Sequence, residues 1–101
     1  MADPANPSVP VTVRYFAAVR AAAGVTEETL PVAPVASAGE KGDLFTTVRA
    51  VVAAITDRHG PALARVLPRC SYLLDEIAVH GLTTPVQDGQ VLDVLPPFAG
   101  G

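Results

Sequence analysis

The chain has 101 residues, enough for one domain with one modest core. Half the residues are apolar, 17% are charged and the mean hydropathy is +0.37, which excludes a chain kept unfolded by its own charge. Ten acidic against seven basic residues give a net charge of −3 and a pI near 5.1, the wrong sign for a nucleic-acid binder.

Residues 1–8 carry two prolines and no periodicity and are expected to form a disordered lead-in. From Val9 the pattern changes: Val11, Val13 and Tyr15 alternate with Thr12, Arg14 and Phe16, which predicts a half-buried strand. The alanine-rich stretch 17–23 ends at Gly24, a natural left-handed stop, and predicts a two-turn helix. Residues 25–32 predict a second strand, with Pro31 placing it at an edge or strand end. Residues 34–42 hold Pro, Ser, Gly, Glu and Lys without a period and read as a loop.

Phe45, Val48, Val51, Val52 and Ile55 share one face at helical spacing and predict the main helix. Asp43, Thr46 or Thr47 can cap its start, and Gly60–Pro61 ends it. A short helical piece over 62–67 stops at Pro68, and residues 70–74 and 77–79 read as extended. Asp88–Gly89 marks a turn before the last strand, residues 90–95, after which Pro96–Pro97 ends regular structure. The order predicts an α+β fold of β-grasp (ubiquitin-like) type. Its mixed sheet of about four to five strands carries one main helix on one face and a short helix after the first strand. The domain is expected to span 9–95, with a flexible tail over 96–101.

No apolar run approaches the ~20 residues of a membrane span, and the start lacks the basic and apolar segments of a secretory signal. A single cysteine, Cys70, cannot form an internal disulfide, so the cytoplasm is the expected compartment and no membrane partner is expected. So little charge also leaves room for an exposed apolar patch and hence a protein partner.

The chemistry is expected at the end of the chain. Gly100 and Gly101 carry no side chains, and at roughly 3.5 Å per residue the segment 97–101 can extend on the order of 15 Å. Such an arm can thread a narrow tunnel and present the Gly101 carboxylate to another protein. Cys70 with His59 or His80 as base and Asp75 as orienter is a weaker alternative, since no motif sets that geometry. Two histidines and one cysteine, widely spaced, make no metal site. There is no Gly-rich nucleotide loop, so no cofactor is expected on this chain, and any ATP must be held by a partner. His59 beside Gly60 is expected to meet the helix dipole, and Asp75–Glu76 to be a solvated turn.

The stretches VTVRYFAAVRAAAG near the start, VQDGQVLDV, and VLPPFAGG at the end resemble the small-subunit family of molybdopterin synthase, the ubiquitin-like sulfur carriers. The resemblance covers nearly the whole chain from Val9 and departs in a longer loop at 35–43 and in the residues before Val9. It implies that a ubiquitin-activating-type adenylyltransferase joins the Gly101 carboxylate to AMP from ATP. A persulfide donor then converts it to a thiocarboxylate. That sulfur passes, within a hetero-tetramer with the large subunit, to a cyclic pyranopterin monophosphate to build a dithiolene. Catalytic side chains would belong to the partners.

Strand parity places Phe16 and Leu95 on the face not covered by the helix, with Val79 as a third member, and marks Arg14 and Asp93 as the wetter side. The resembling family uses apolar residues at matching positions to hold partners. Pro97 and Phe98, at the root of the tail, complete the expected partner-binding set. A sulfur carrier for thiamine-thiazole or cysteine synthesis, a ubiquitin-like protein modifier and an inert β-grasp module remain as alternatives.

Overall fold

The computed structural model describes residues 7–38 and 42–97. Strand β1 (Val9–Tyr15) sends Val9, Val11, Val13 and Tyr15 into the core and leaves Pro10, Thr12 and Arg14 toward solvent. Helix α1 (Ala17–Ala23) follows and closes on Gly24 in the left-handed conformation, φ 81°, whose N–H donates to the Arg20 carbonyl at 2.9 Å. Strand β2 (Glu27–Val32) returns antiparallel to β1, with Pro31 opposite Pro10. It is an edge strand, the position in which a missing N–H costs no ladder bond.

The next segment departs from the sequence reading. Residues 36–38 are a strand, β3 (Ala36–Ala38), paired antiparallel with β4 (Asp43–Thr47), so Phe45 belongs to a strand and not to the helix. Phe45 does sit at helical spacing from Val48 and Val52, but the β-branched pair Thr46–Thr47 favours extended backbone. Tertiary bonds hold it there. Thr46 is buried and its hydroxyl donates to the Ala33 carbonyl at 2.9 Å, while Thr47 is extended and its hydroxyl accepts from the Ala50 N–H at 3.3 Å.

Helix α2 (Val48–His59) therefore begins one turn later than its apolar spacing suggests. Two of its first N–H groups donate to the Thr84 and Leu82 carbonyls at 3.0 and 2.8 Å. Val48, Val51 and Ile55 are buried and α2 packs against β2. Gly60 ends it at φ 83°, and Pro61 opens the short helix α3 (Pro61–Ala64). A single 3₁₀ turn (Leu67–Arg69) takes in Pro68, which was expected to stop the segment instead.

Strands β5 (Ser71–Leu74) and β6 (Ile77–Ala78) form a hairpin across Asp75 and Glu76, both at positive φ, 48° and 70°. Two successive left-handed residues give the turn whose twist matches the flanking strands. A short strand missed in the sequence, β7 (Pro85–Gln87), joins β4, and the Asp88–Gly89 turn leads into β8 (Val91–Leu95).

The main sheet has the order β2-β1-β8-β5-β6, and a second, three-stranded sheet has the order β3-β4-β7. β8 lies in the middle, parallel to β1 and antiparallel to β5. This is the expected α+β, ubiquitin-like β-grasp arrangement, with α2 covering one sheet face. Among the described residues, no helix is long and apolar enough to cross a membrane.

Candidate functional site at the root of the C-terminal tail

The parallel pairing sets Thr12 opposite Val91, Val13 opposite Leu92, Arg14 opposite Asp93 and Tyr15 opposite Val94. Val13, Tyr15, Leu92 and Val94 face the helices and are buried. On the uncovered face one row crosses all five strands: Glu27, Arg14, Asp93, Leu73 and Ala78. The chain leaves β8 after Leu95, beside the end of β1, and passes through Pro96 and Pro97.

Phe16 stands at that exit. Its N–H donates to the Val94 carbonyl at 3.2 Å, and its own carbonyl accepts from Val19 at 3.1 Å. The two bonds tie the end of β1, the start of α1 and the end of β8 to one residue. The next residue, Ala17, has φ 52°, a conformation that disfavours any side chain and turns the chain sharply out of β1. Phe16 is 37% exposed, so its ring remains available rather than folding over the core edge. Leu95, opposite Ser71, is half-buried on the same face, and Pro97 is exposed. Pro96 and Pro97 line an open apolar groove with Ala17, Ala18 and Val66, flanked by Arg65 and Arg69. Phe98, Gly100 and Gly101 lie outside the described residues.

Two expectations about this face require correction. Val79 is not on it: its N–H donates to the Tyr72 carbonyl at 3.0 Å, which sets it opposite Tyr72 and Val94, and it packs against the core. Asp93 does not mark wet surface either, being only 4% exposed. Arg14 covers it, with Nε to Oδ1 at 2.6 Å and Nη2 to Oδ2 at 2.8 Å, a two-pronged ion pair. The Arg14 guanidinium also lies 5.8 Å from the Phe16 ring centroid. The hydrogen bonds to Asp93 and its charge raise the Arg14 pKa above its ordinary value. The available signal was one charge of each sign at matching parity in two central strands that carry no other charge.

The opposite face holds a polar cluster that the sequence did not announce. The Tyr15 hydroxyl donates to Glu28 Oε2 at 2.5 Å, and His59 Nε2 bonds the same oxygen. The Tyr15 and His59 rings meet edge-on at 5.7 Å, and Arg58 Nε lies 3.6 Å from Glu28 Oε1. His59 is thus a partner of Glu28, beyond any role at the helix terminus. Burial and then the Glu28 hydrogen bond push the Tyr15 pKa far above its ordinary range. For Glu28, burial acts upward, yet the bonds from His59 and Tyr15 and the nearby positive charge prevail, and its pKa is lowered.

A carboxylate with a lowered pKa contributes stability above its ordinary value of 4.5, and that contribution is lost as pH falls through the folded value. Glu28→Gln is therefore expected to cost about 1.5–3 kcal/mol at pH 7, the worth of hydrogen bonds to a charged group. The cost should shrink below about pH 4. Urea melts of both proteins at pH 7 and about pH 3 measure it; an equal difference at the two values would remove Glu28 from the acid limb.

Cys70 does not assemble with the histidines. Its thiol donates to the Val66 carbonyl at 3.3 Å, and burial raises its pKa, both of which oppose a reactive thiolate. Asp75 accepts from the Val91 N–H at 2.9 Å and the Gln90 amide at 3.1 Å, so it braces the turn before β8, and these bonds lower its pKa. Nothing brings these groups to one reacting atom.

The comparisons with known proteins fit this geometry. The ThiS family model matches residues 13–101. A protein of Pyrococcus furiosus named as a candidate molybdopterin converting factor subunit 1 is 26% identical, with a TM-score of 0.65 over 89% of this chain and 99% of that one. The small archaeal modifier protein 1 of Methanosarcina acetivorans is 26% identical, with a TM-score of 0.70 over 93% and 98%. A chain of the BexX/CysO complex of Amycolatopsis orientalis is 25% identical, with a TM-score of 0.60 over 90% and 99%. No curated protein sequence matches the chain. With its sheet order, its centrally placed last strand and a family match covering residues 13–101, the chain belongs to the ThiS family of ubiquitin-like sulfur carriers.

Proposed function

We propose that this protein is the sulfur-donor small subunit of a molybdopterin synthase, acting through the carboxylate of Gly101. The observation that carries the reading is the position of β8. The strand that leads to the tail is the middle strand of the sheet, hydrogen-bonded on both sides, so the arm starts from a strand held along both edges. Phe16 and Leu95 flank its root as apolar anchors for a partner.

In the proposed cycle a carboxylate oxygen attacks the α-phosphorus of ATP on an adenylating partner, and pyrophosphate leaves. The acyl adenylate makes the Gly101 carbonyl carbon a good acceptor. A persulfide sulfur displaces AMP, and a thiol then cleaves the acyl disulfide to release the thiocarboxylate. Two such carriers supply the two sulfurs of the dithiolene. The similarity to the Pyrococcus protein supports this pathway, as does the VLPPFAGG ending. ATP is bound by the partner, and this chain contributes binding, orientation and the acyl terminus.

A second reading keeps the activation step and changes the destination. The small archaeal modifier protein is equally identical, and the CysO-containing complex nearly so, which supports protein modification or another sulfur pathway. Intact-mass measurement after incubation with an adenylating enzyme, ATP and a persulfide donor tests the reading. Exchange of one oxygen for sulfur at the terminus, followed by transfer to the pterin precursor, is the expected result. A stable adduct on protein amines favours the modifier, and an unchanged mass overturns both.

Phe16→Ala is expected to weaken binding to the large subunit by about 1–3 kcal/mol while leaving the fold intact. Calorimetric titration measures this, and unchanged affinity would take Phe16 out of the interface.

A further inference from the structure

The Arg14–Asp93 pair stands at the centre of the open face, between the two strands that flank the tail exit. The Asp93 side chain is 6% exposed, and both of its oxygens are taken by Arg14. Arg14 side-chain exposure is 40%, and its guanidinium carbon lies over the Phe16 ring, 5.8 Å from the centroid. A buried ion pair is weak as a source of stability, because two well-packed apolar residues often serve equally well or better. What it supplies is direction: two parallel bonds fix the plane of the guanidinium.

We infer that Arg14 and Asp93 are positioning residues for partner docking: Asp93 orients Arg14, and Arg14 orients the Phe16 ring beside the root of the tail. Phe16 needs such help. Its backbone is fixed by the Val94 bond and the turn at Ala17, but the residue is 37% exposed. A ring ordered before binding spares the partner the entropy of ordering it. Glu27 lies opposite Arg14 on β2, and its charge and that of Glu76 also act on Arg14. A lysine at position 14 would not hold the same geometry. The kinetic part of the inference rests on the carrier reading above, and the spectroscopic part does not.

The test compares wild type with Arg14→Lys, Asp93→Asn and the double variant Arg14→Leu/Asp93→Leu. Each is assayed by ATP–pyrophosphate exchange with an adenylating enzyme of the ubiquitin-activating type from the same organism, carrier as the varied substrate. The Phe16 ring protons are followed by NMR on the free proteins. Every variant that breaks the pair should raise KM about five- to tenfold, the effect of one anchor side chain ordered on binding instead of before it. Turnover should be unchanged, and the double variant should be no worse than the singles.

The Phe16 ring shifts should move toward those of an unrestrained ring while the amide spectrum stays folded. Unchanged KM and unchanged ring shifts in folded variants overturn the inference, as does a loss confined to stability. If the double variant does not fold, Arg14→Lys decides by the same readouts. If wild type supports no exchange, the carrier reading fails, and the ring shifts alone decide: moved shifts uphold positioning and unmoved shifts end it.

Discussion

Deletion of Gly101 is expected to abolish sulfur loading, a loss of more than about 100-fold, with the thermal transition unmoved. Shortening the arm by one residue withdraws the carboxylate by roughly 3.5 Å. A misplacement of about 1 Å at a reacting centre already costs on the order of 10²-fold, so no compensating slide of the tail is sufficient. The fold should not register the change, because β8 ends at Leu95 and its ladder bonds to β1 and β5 lie upstream. Replacing Gly100 with valine is expected to act in the same direction through the walls of the partner's tunnel. Intact mass after the activation reaction reads the first effect and calorimetry the second. A deletion variant that loads sulfur normally, or one that unfolds, contradicts a purely chemical tail.

Leu92→Ala is expected to remove about 2–5 kcal/mol of folding stability, against a total of about 5–15 kcal/mol for a domain of this size. Leu92 is 0% exposed, in the central strand, opposite Val13 on one side and Leu74 on the other. Truncation leaves a cavity between the sheet and the helices that neighbouring strands cannot close without breaking their pairing. The urea midpoint should fall at constant m-value. Functional loss would follow the folded fraction rather than the chemistry, since residues 96–101 are untouched. A change below 1 kcal/mol would mean that the site collapses around the smaller side chain. The contrast with Gly101 separates the body from the arm: one substitution lowers stability and spares the reagent, the other does the reverse.

Much of the route to these expectations was already in the amino-acid order. Alternation in 9–15 and 91–95 marks the buried faces correctly because one sheet face is covered and strand side chains alternate with a period of two. Gly24 and Gly60 end their helices where expected, since both positions need positive φ. The ThiS family model extends from residue 13 through residue 101. Local patterning failed where a residue's state depends on a distant partner. Phe45 has helical spacing but lies in a strand, because Thr46 bonds Ala33 and β4 is held between β3 and β7.

The candidate site divides in the same way. Phe16 and Leu95 could be placed on the open face by parity alone, since each strand is locally regular. Val79 could not: the bond to Tyr72 sets the hairpin register, and a one-residue slip reverses every side chain. Glu28 is an acidic residue in a strand, indistinguishable in sequence from a solvated one, and Asp93 offered only a parity matching that of Arg14. Only the approach of Arg14 from β1 makes Asp93 a buried partner, and only that of His59 from the end of α2 makes Glu28 a half-buried one. The sequence by itself determined most of the elements, the buried faces of β1 and β8 and the side-chain-free Gly100–Gly101, because these follow from backbone preference and periodicity over a few residues. Tertiary structure alone decided which charges meet, because charge pairing depends on contacts between residues up to 79 positions apart.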